Sequence, residues 1–116
     1  MGAPTLEPVK ENVRIIFNDA VIADTTNAYR VAQSGSSAYY IPPADLKLEH
    51  LTRVSGSSHC PWKGDASYWT LSVGDKKAES VAWSYEDPKE AFLPIKGYLA
   101  FYTNRVDAFY VGEGKV

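Results

Sequence analysis

The stretch His59-Cys60-Pro61-Trp62-Lys63-Gly64-Asp65-Ala66-Ser67-Tyr68-Trp69 sets two tryptophans, the only cysteine, a histidine, a lysine and an aspartate within eleven residues. Packing alone rarely requires so many side-chain types in one place. Three chemistries can be drawn from them. The first is a thiol nucleophile, Cys60, activated by a histidine. His59 is adjacent, but neighbours on a strand point to opposite faces, so His50 would have to serve instead. An inert buried thiol is the commoner state of a lone cysteine. The second uses Lys63 and Asp65, which share a face in extended backbone. They would either pair with each other on the surface or bind an anion and orient a donor. Gly64 between them points to a close backbone approach rather than a regular strand.

The third chemistry is aromatic. Trp62, Trp69 and Trp83 could wall a cage for a flat or cationic ligand, each good contact contributing roughly 0.5–2 kcal/mol. Trp69 alternates in step with Leu71 and Val73, which assigns it to the core. Trp62 lies between Pro61 and Lys63 in a turn-like segment, where a large apolar side chain has less reason to be. The catalytic candidates are therefore Cys60, Lys63 and Asp65, and the ligand-binding candidates Trp62, Lys63, Asp65, Trp83 and Tyr85. Tyr39, Tyr40, Tyr98 and Tyr102 are assigned to core or surface. No metal site is expected, because His50, His59 and Cys60 are the only soft ligands and no Cys-x-x-Cys spacing exists.

Strands are what must position these residues. Val13, Ile15 and Phe17 alternate ahead of an Asn18-Asp19 turn. Val21–Ala23, Tyr29–Val31 and Ala38–Ile41 read as further strands, the last stopped by Pro42-Pro43. A single helical turn is expected at Pro43–Asp45. Leu46, Leu48 and His50 alternate as a half-buried strand would. Ser34–Ser37 and Ser55–Ser58 read as flexible loops. Trp69, Leu71 and Val73 predict one strand, a Gly74-Asp75 turn, and a return strand with Val81, Trp83 and Tyr85 on one face. Asp87-Pro88-Lys89-Glu90 carries the pattern of a capping box and predicts a helix of about two turns before Pro94. Strands at Tyr98–Tyr102 and Val106–Val111 complete an all-β domain of about eight short strands with one short helix. Residues 1–10 read as an N-terminal arm and 11–116 as a single domain.

The bulk numbers narrow the function classes. A chain of 116 residues with 45% hydrophobic and 13% aromatic residues can bury a core without disulfides or metal. A net charge of −2 and no basic run argue against nucleic-acid binding. A lone cysteine, no Asn-x-Ser/Thr acceptor, no signal-like start and no apolar span together predict a cytoplasmic protein without membrane attachment.

Four blocks resemble Domain of Unknown Function 427: Tyr39–Asp45, His59–Gly64, Ala82–Tyr85 with Pro88, and Gly97–Tyr102 with Val106-Asp107. They stand in the family's order and cover nearly the whole chain from Val13 to Ala108. The resemblance implies a small β-rich domain similar to the β-tent domains. It also brings the label nucleotidyltransferase-like. Metal-dependent nucleotidyl transfer needs two or three carboxylates near a Gly-Ser turn to hold Mg²⁺. Gly56-Ser57 offers the turn, but Asp65 stands alone, and Asp87 or Asp107 would have to join it through folding. The leading expectation is a domain that binds a small polar planar ligand without a cofactor. A Mg²⁺-dependent transferase and a protein-interaction module are the alternatives.

Overall fold

The computed structural model describes residues 3–116; Met1 and Gly2, at the start of the expected arm, lie outside the described residues. Alternation of apolar and polar side chains builds the smaller of two sheets. Strand β2 (Val13–Phe17) turns its odd-numbered side chains inward. Asn18 and Asp19 both adopt positive φ, 48° and 64°, which closes a two-residue hairpin onto β3 (Ala20–Thr25). Strand β10 (Ala108–Val111) pairs on the other side of β2 and carries β11 (Gly114–Lys115), giving the order β11-β10-β2-β3.

The larger sheet has seven strands: β1 (Thr5–Pro8), β4 (Tyr29–Gln33), β5 (Ser36–Ile41), β6 (Leu51–Cys60), β7 (Gly64–Val73), β8 (Lys76–Tyr85) and β9 (Leu99–Phe101). Their order is β1-β4-β5-β9-β8-β7-β6, antiparallel throughout. One face packs on the smaller sheet through Ile15, Phe17, Ile22, Ile41, Leu71 and Val81, among others. Each such side chain contributes roughly 1.5–3 kcal/mol by leaving water, so this layer stabilises the fold. The far face holds a second apolar cluster that includes Val31, Tyr40, Ala66, Tyr85 and Ala100. Phe92 and Ile95, from the connection between β8 and β9, cover part of it.

The all-β class agrees with the sequence, while several details differ for physical reasons. There are eleven strands among the described residues rather than about eight, because polar stretches form β1 and β6 in the large sheet and Gly114–Lys115 adds β11 to the small one. Thr5–Pro8, within the expected arm, pairs with β4. Ser34-Gly35 is a tight turn with φ of 50° and 83°, and Ser36 and Ser37 already belong to β5. Ser55–Ser58 lies inside β6, an edge strand whose side chains there stay exposed and so tolerate serine. Conversely, Leu46–His50 is no strand. Leu46 makes one bridge to Ala23, and Leu48–His50 is a 3₁₀ turn that redirects the chain from β5 into β6.

The expected capped helix is replaced by a 3₁₀ segment, Glu90–Ile95, broken at Phe92 ahead of Pro94. Lys89 precedes it in extended backbone, with no side-chain cap. The Lys89 N–H donates instead to the carbonyl of Lys63, so the Asp87–Lys89 backbone is committed elsewhere. Val81 also departs from expectation, facing the inter-sheet core while Trp83 and Tyr85 face away. A bulge opposite Thr70, with Ser80 at φ 51°, resets the alternation of β8. No helix among the described residues is long and apolar enough to cross a membrane.

Candidate functional site

Strands β6 and β7 pair as far as Cys60 and Gly64, which leaves Pro61, Trp62 and Lys63 as a three-residue hairpin tip. Gly64 has φ +118°, a region few side chains tolerate. A Cβ there would stand 3.3 Å from the carbonyl oxygen of Asp87 and 3.6 Å from Cα of Pro88. The close approach expected at Gly64 is therefore made by the β8–β9 connection. The same contact lets the Lys89 N–H donate to the Lys63 carbonyl at 2.9 Å, while the Lys63 N–H donates to the Cys60 carbonyl at 3.2 Å. With its backbone bound on both sides, Lys63 is held in place, and its Nζ lies 5.6 Å from the ring centroid of Tyr85.

The strand period carries the rest of the site. On β8, Trp83 and Tyr85 turn to the far face, joined by Tyr68 from β7 and Tyr40 from β5. The Trp83 indole N–H donates to the Tyr40 hydroxyl at 3.0 Å, the two rings edge-on at 6.3 Å. Tyr102 closes on Trp83 at 4.7 Å between centroids. These rings wall a cavity of about 450 Å³, a size typical of small-molecule sites. Its further end is polar, with Gln33, Ser36, Ser37, Thr103 and Asn104. Lys63 is the one charged side chain among the described residues that line it.

Burial sets the protonation of the wall. Removal from water pushes the Tyr40 phenol up to about 12, against which the Trp83 hydrogen bond is the smaller effect. Tyr85 is also pushed up, first by burial and then by the neighbouring hydroxyls and the Cys60 thiol. Both phenols are therefore neutral at ordinary pH. They cannot act as bases there.

Of the residues singled out in the sequence, Lys63, Trp83 and Tyr85 come together here. Trp62 does not line the cavity; it stands 46% exposed on the hairpin tip. Asp65 does not share a face with Lys63, because the positive φ of Gly64 breaks the extended geometry that sharing requires. It sits across the ladder from His59, with Oδ1 2.8 Å from Nδ1 and side-chain exposures of 77% and 62%. A pair so exposed contributes little. Cys60 packs half-buried against the far-face cluster, and His59 points to the other side. His50 precedes β6, roughly 30 Å from Cys60 along the strand at about 3.3 Å per residue, so no histidine reaches the thiol. Trp69 is a core residue whose indole N–H donates to Ser84 Oγ at 2.9 Å.

The carboxylates also stay apart. Asp107 bonds Lys76 and accepts the Asn18 N–H at 2.6 Å, while Asp87 is exposed on the β8–β9 connection. Gly56 lies with Ser55 in a bulge of β6 and Ser57 pairs with Ser67, so no turn forms there. Among the described residues, no three His, Cys, Asp or Glu side chains gather closely enough to hold a metal ion. The aromatic residues that sequence reasoning passed over are Tyr40, Tyr68 and Tyr102. Tyr40 alternates with Tyr39 on β5, a signal that one of the pair faces away from the sandwich. Its meeting with Trp83 depends on β9 lying between β5 and β8, which no local pattern reveals.

Comparison with curated proteins gives no match. A family profile, described as Domain of unknown function (DUF427), matches residues 5–112, nearly the whole chain. The blocks that carried the resemblance hold the hairpin tip, β5, β8 and β9, the same elements that build the cavity, and the chain belongs to the DUF427 family.

Proposed function

We propose that the far face of the seven-stranded sheet binds a small polar planar ligand. The observation that carries this reading is the 450 Å³ cavity itself, with a wall of Tyr40, Trp83, Tyr85 and Tyr102 and a single cation, Lys63. Aromatic walls favour flat molecules, and a few fixed polar groups set their orientation. No cofactor enters this reading. The lone Cys60 and the absence of glycosylation acceptors support a cytoplasmic setting. The transferase alternative would require carboxylates to assemble around Mg²⁺, and Asp65, Asp87 and Asp107 lie in separate places. An interaction module would use exposed aromatics such as Trp62.

Thermal unfolding against nucleotides, organic anions, neutral planar metabolites and Mg²⁺ separates the three. A ligand at about a hundred times its Kd adds roughly 2.7 kcal/mol, a shift of several degrees for a domain of this size. The expected result is a metal-independent shift that disappears in Trp83→Leu and persists in Trp62→Ala. A nucleotide response that needs Mg²⁺ overturns this reading in favour of the transferase. Silence across the panel, with a protein partner lost in Trp62→Ala, overturns it in favour of the interaction module.

A further inference from the structure

The cavity has a direction. Tyr40 and Trp83 both stand opposite Ala100 of β9, which makes them its middle. Ser84 pairs with Leu99, so Tyr85 sits one step further, level with Tyr98, and Lys63 lies over its ring. Thr103 and Asn104 lie the other way, following β9, with Ser36 and Ser37 at the start of β5. At about 3.3 Å per residue, the path from Tyr85 to Thr103 is about 16 Å long. One end is cationic, the middle aromatic, and the other end built from hydroxyls and amides.

The cationic end has no internal counter-ion. None of the ion pairs among the described residues involves Lys63. Of the acidic side chains near it, Asp65 faces His59, Glu86 faces Arg53 at 3.6 Å, and the exposed Asp87, whose backbone packs on Gly64, forms no ion pair with Lys63. The phenols along the wall keep their protons and so add no negative charge. A neutral ligand gains nothing from the half-buried Lys63, whereas an anion gains a charge-assisted contact.

We propose that the ligand is an elongated planar anion, its acidic group at Lys63, its ring against Trp83 and the exposed Tyr102, and a polar substituent at Thr103 and Asn104. This rests on the reading that the far face is a small-ligand site, and the test separates the two. The probes are 2-naphthoate and its uncharged counterpart 2-naphthamide, titrated by NMR into wild type, Lys63→Met and Lys63→Arg. In wild type, naphthoate is expected to bind at least tenfold more tightly than the amide, with shifts at the Trp83 and Tyr102 signals. Lys63→Met is expected to erase that preference by weakening naphthoate alone, and Lys63→Arg to restore most of it. Equal binding of both probes in wild type, still at Trp83 and Tyr102, overturns the anion proposal and leaves the small-ligand reading standing. Binding of neither probe at the wall overturns both.

Discussion

Tyr40→Phe tests the energetics of the aromatic wall in a way that changes sign with pH. The ring is 1% exposed and the substitution keeps its shape, so packing is preserved. What is lost at neutral pH is the acceptor for the Trp83 indole N–H at 3.0 Å. A hydrogen bond of this kind contributes about 1 kcal/mol net, and the variant should be less stable than wild type by about that much at pH 7. At alkaline pH a second effect opposes it. The folded phenol titrates at about 12, against 10 for the free group. A raised value means that the native state holds its proton while the unfolded chain has already released it. The wild type's stability is complete below pH 10 and falls as pH rises toward 12. Each unit of difference corresponds to about 1.4 kcal/mol, so the loss approaches 2 to 3 kcal/mol at pH 12. Phenylalanine has no proton to lose. The two effects cancel near pH 11, above which Tyr40→Phe should be the more stable protein. Urea unfolding followed by tryptophan fluorescence at pH 7, 10, 11 and 12 measures the difference directly. A difference that keeps the same sign and size across that range refutes the argument that burial holds Tyr40 neutral.

Three further outcomes follow from the geometry. Gly64→Ala should cost about 1–3 kcal/mol in denaturant unfolding, because the new Cβ meets the Asp87 carbonyl at 3.3 Å in backbone with φ +118°; no loss would mean that the hairpin tip and the β8–β9 connection move apart freely. Ser84→Ala should cost about 1–3 kcal/mol, since Ser84 is fully buried and its Oγ accepts the Trp69 indole N–H at 2.9 Å; a thermal melt matching wild type would contradict it. Asp107 is held below the usual carboxylate range, first by Lys76 and then by the Asn18 N–H. A lowered value contributes stability that is present above the ordinary carboxylate titration and lost as pH falls through the folded one. Asp107→Asn should therefore lower the melting temperature at pH 7 and converge with wild type in strong acid.

The sequence was most informative where a local rule governs a residue's fate. Val13, Ile15 and Phe17 announce β2 by their period, and Asn18-Asp19 announces its turn because few other residues tolerate two positive φ angles in succession. Lys63 was legible as a site residue because it sits beside Gly64 among unlike neighbours. What stayed hidden depends on contacts distant in sequence. The capping pattern at Asp87–Glu90 is locally sound, yet the Lys89 N–H finds a better partner across the sheet at Lys63. The serines of β6 look like a loop because the strand lies at an edge, where the inward demand for apolar side chains is absent. The companion wall of Tyr40 and Tyr102 required the strand order β5-β9-β8, set by a connection that leaves the sheet and returns.

Strand β8 divides its labour residue by residue. Ala82 and Ser84 face the sandwich, while Trp83 and Tyr85 face the cavity. On the proposed reading, neighbouring positions answer to separate demands, one for the inter-sheet layer and one for the far face and what it binds. Substitutions at Trp83 can re-line the cavity while the inter-sheet layer remains intact. A saturation library across Ala82–Tyr85, scored separately for abundance and for ligand capture, would show the two tolerances alternating with a period of two.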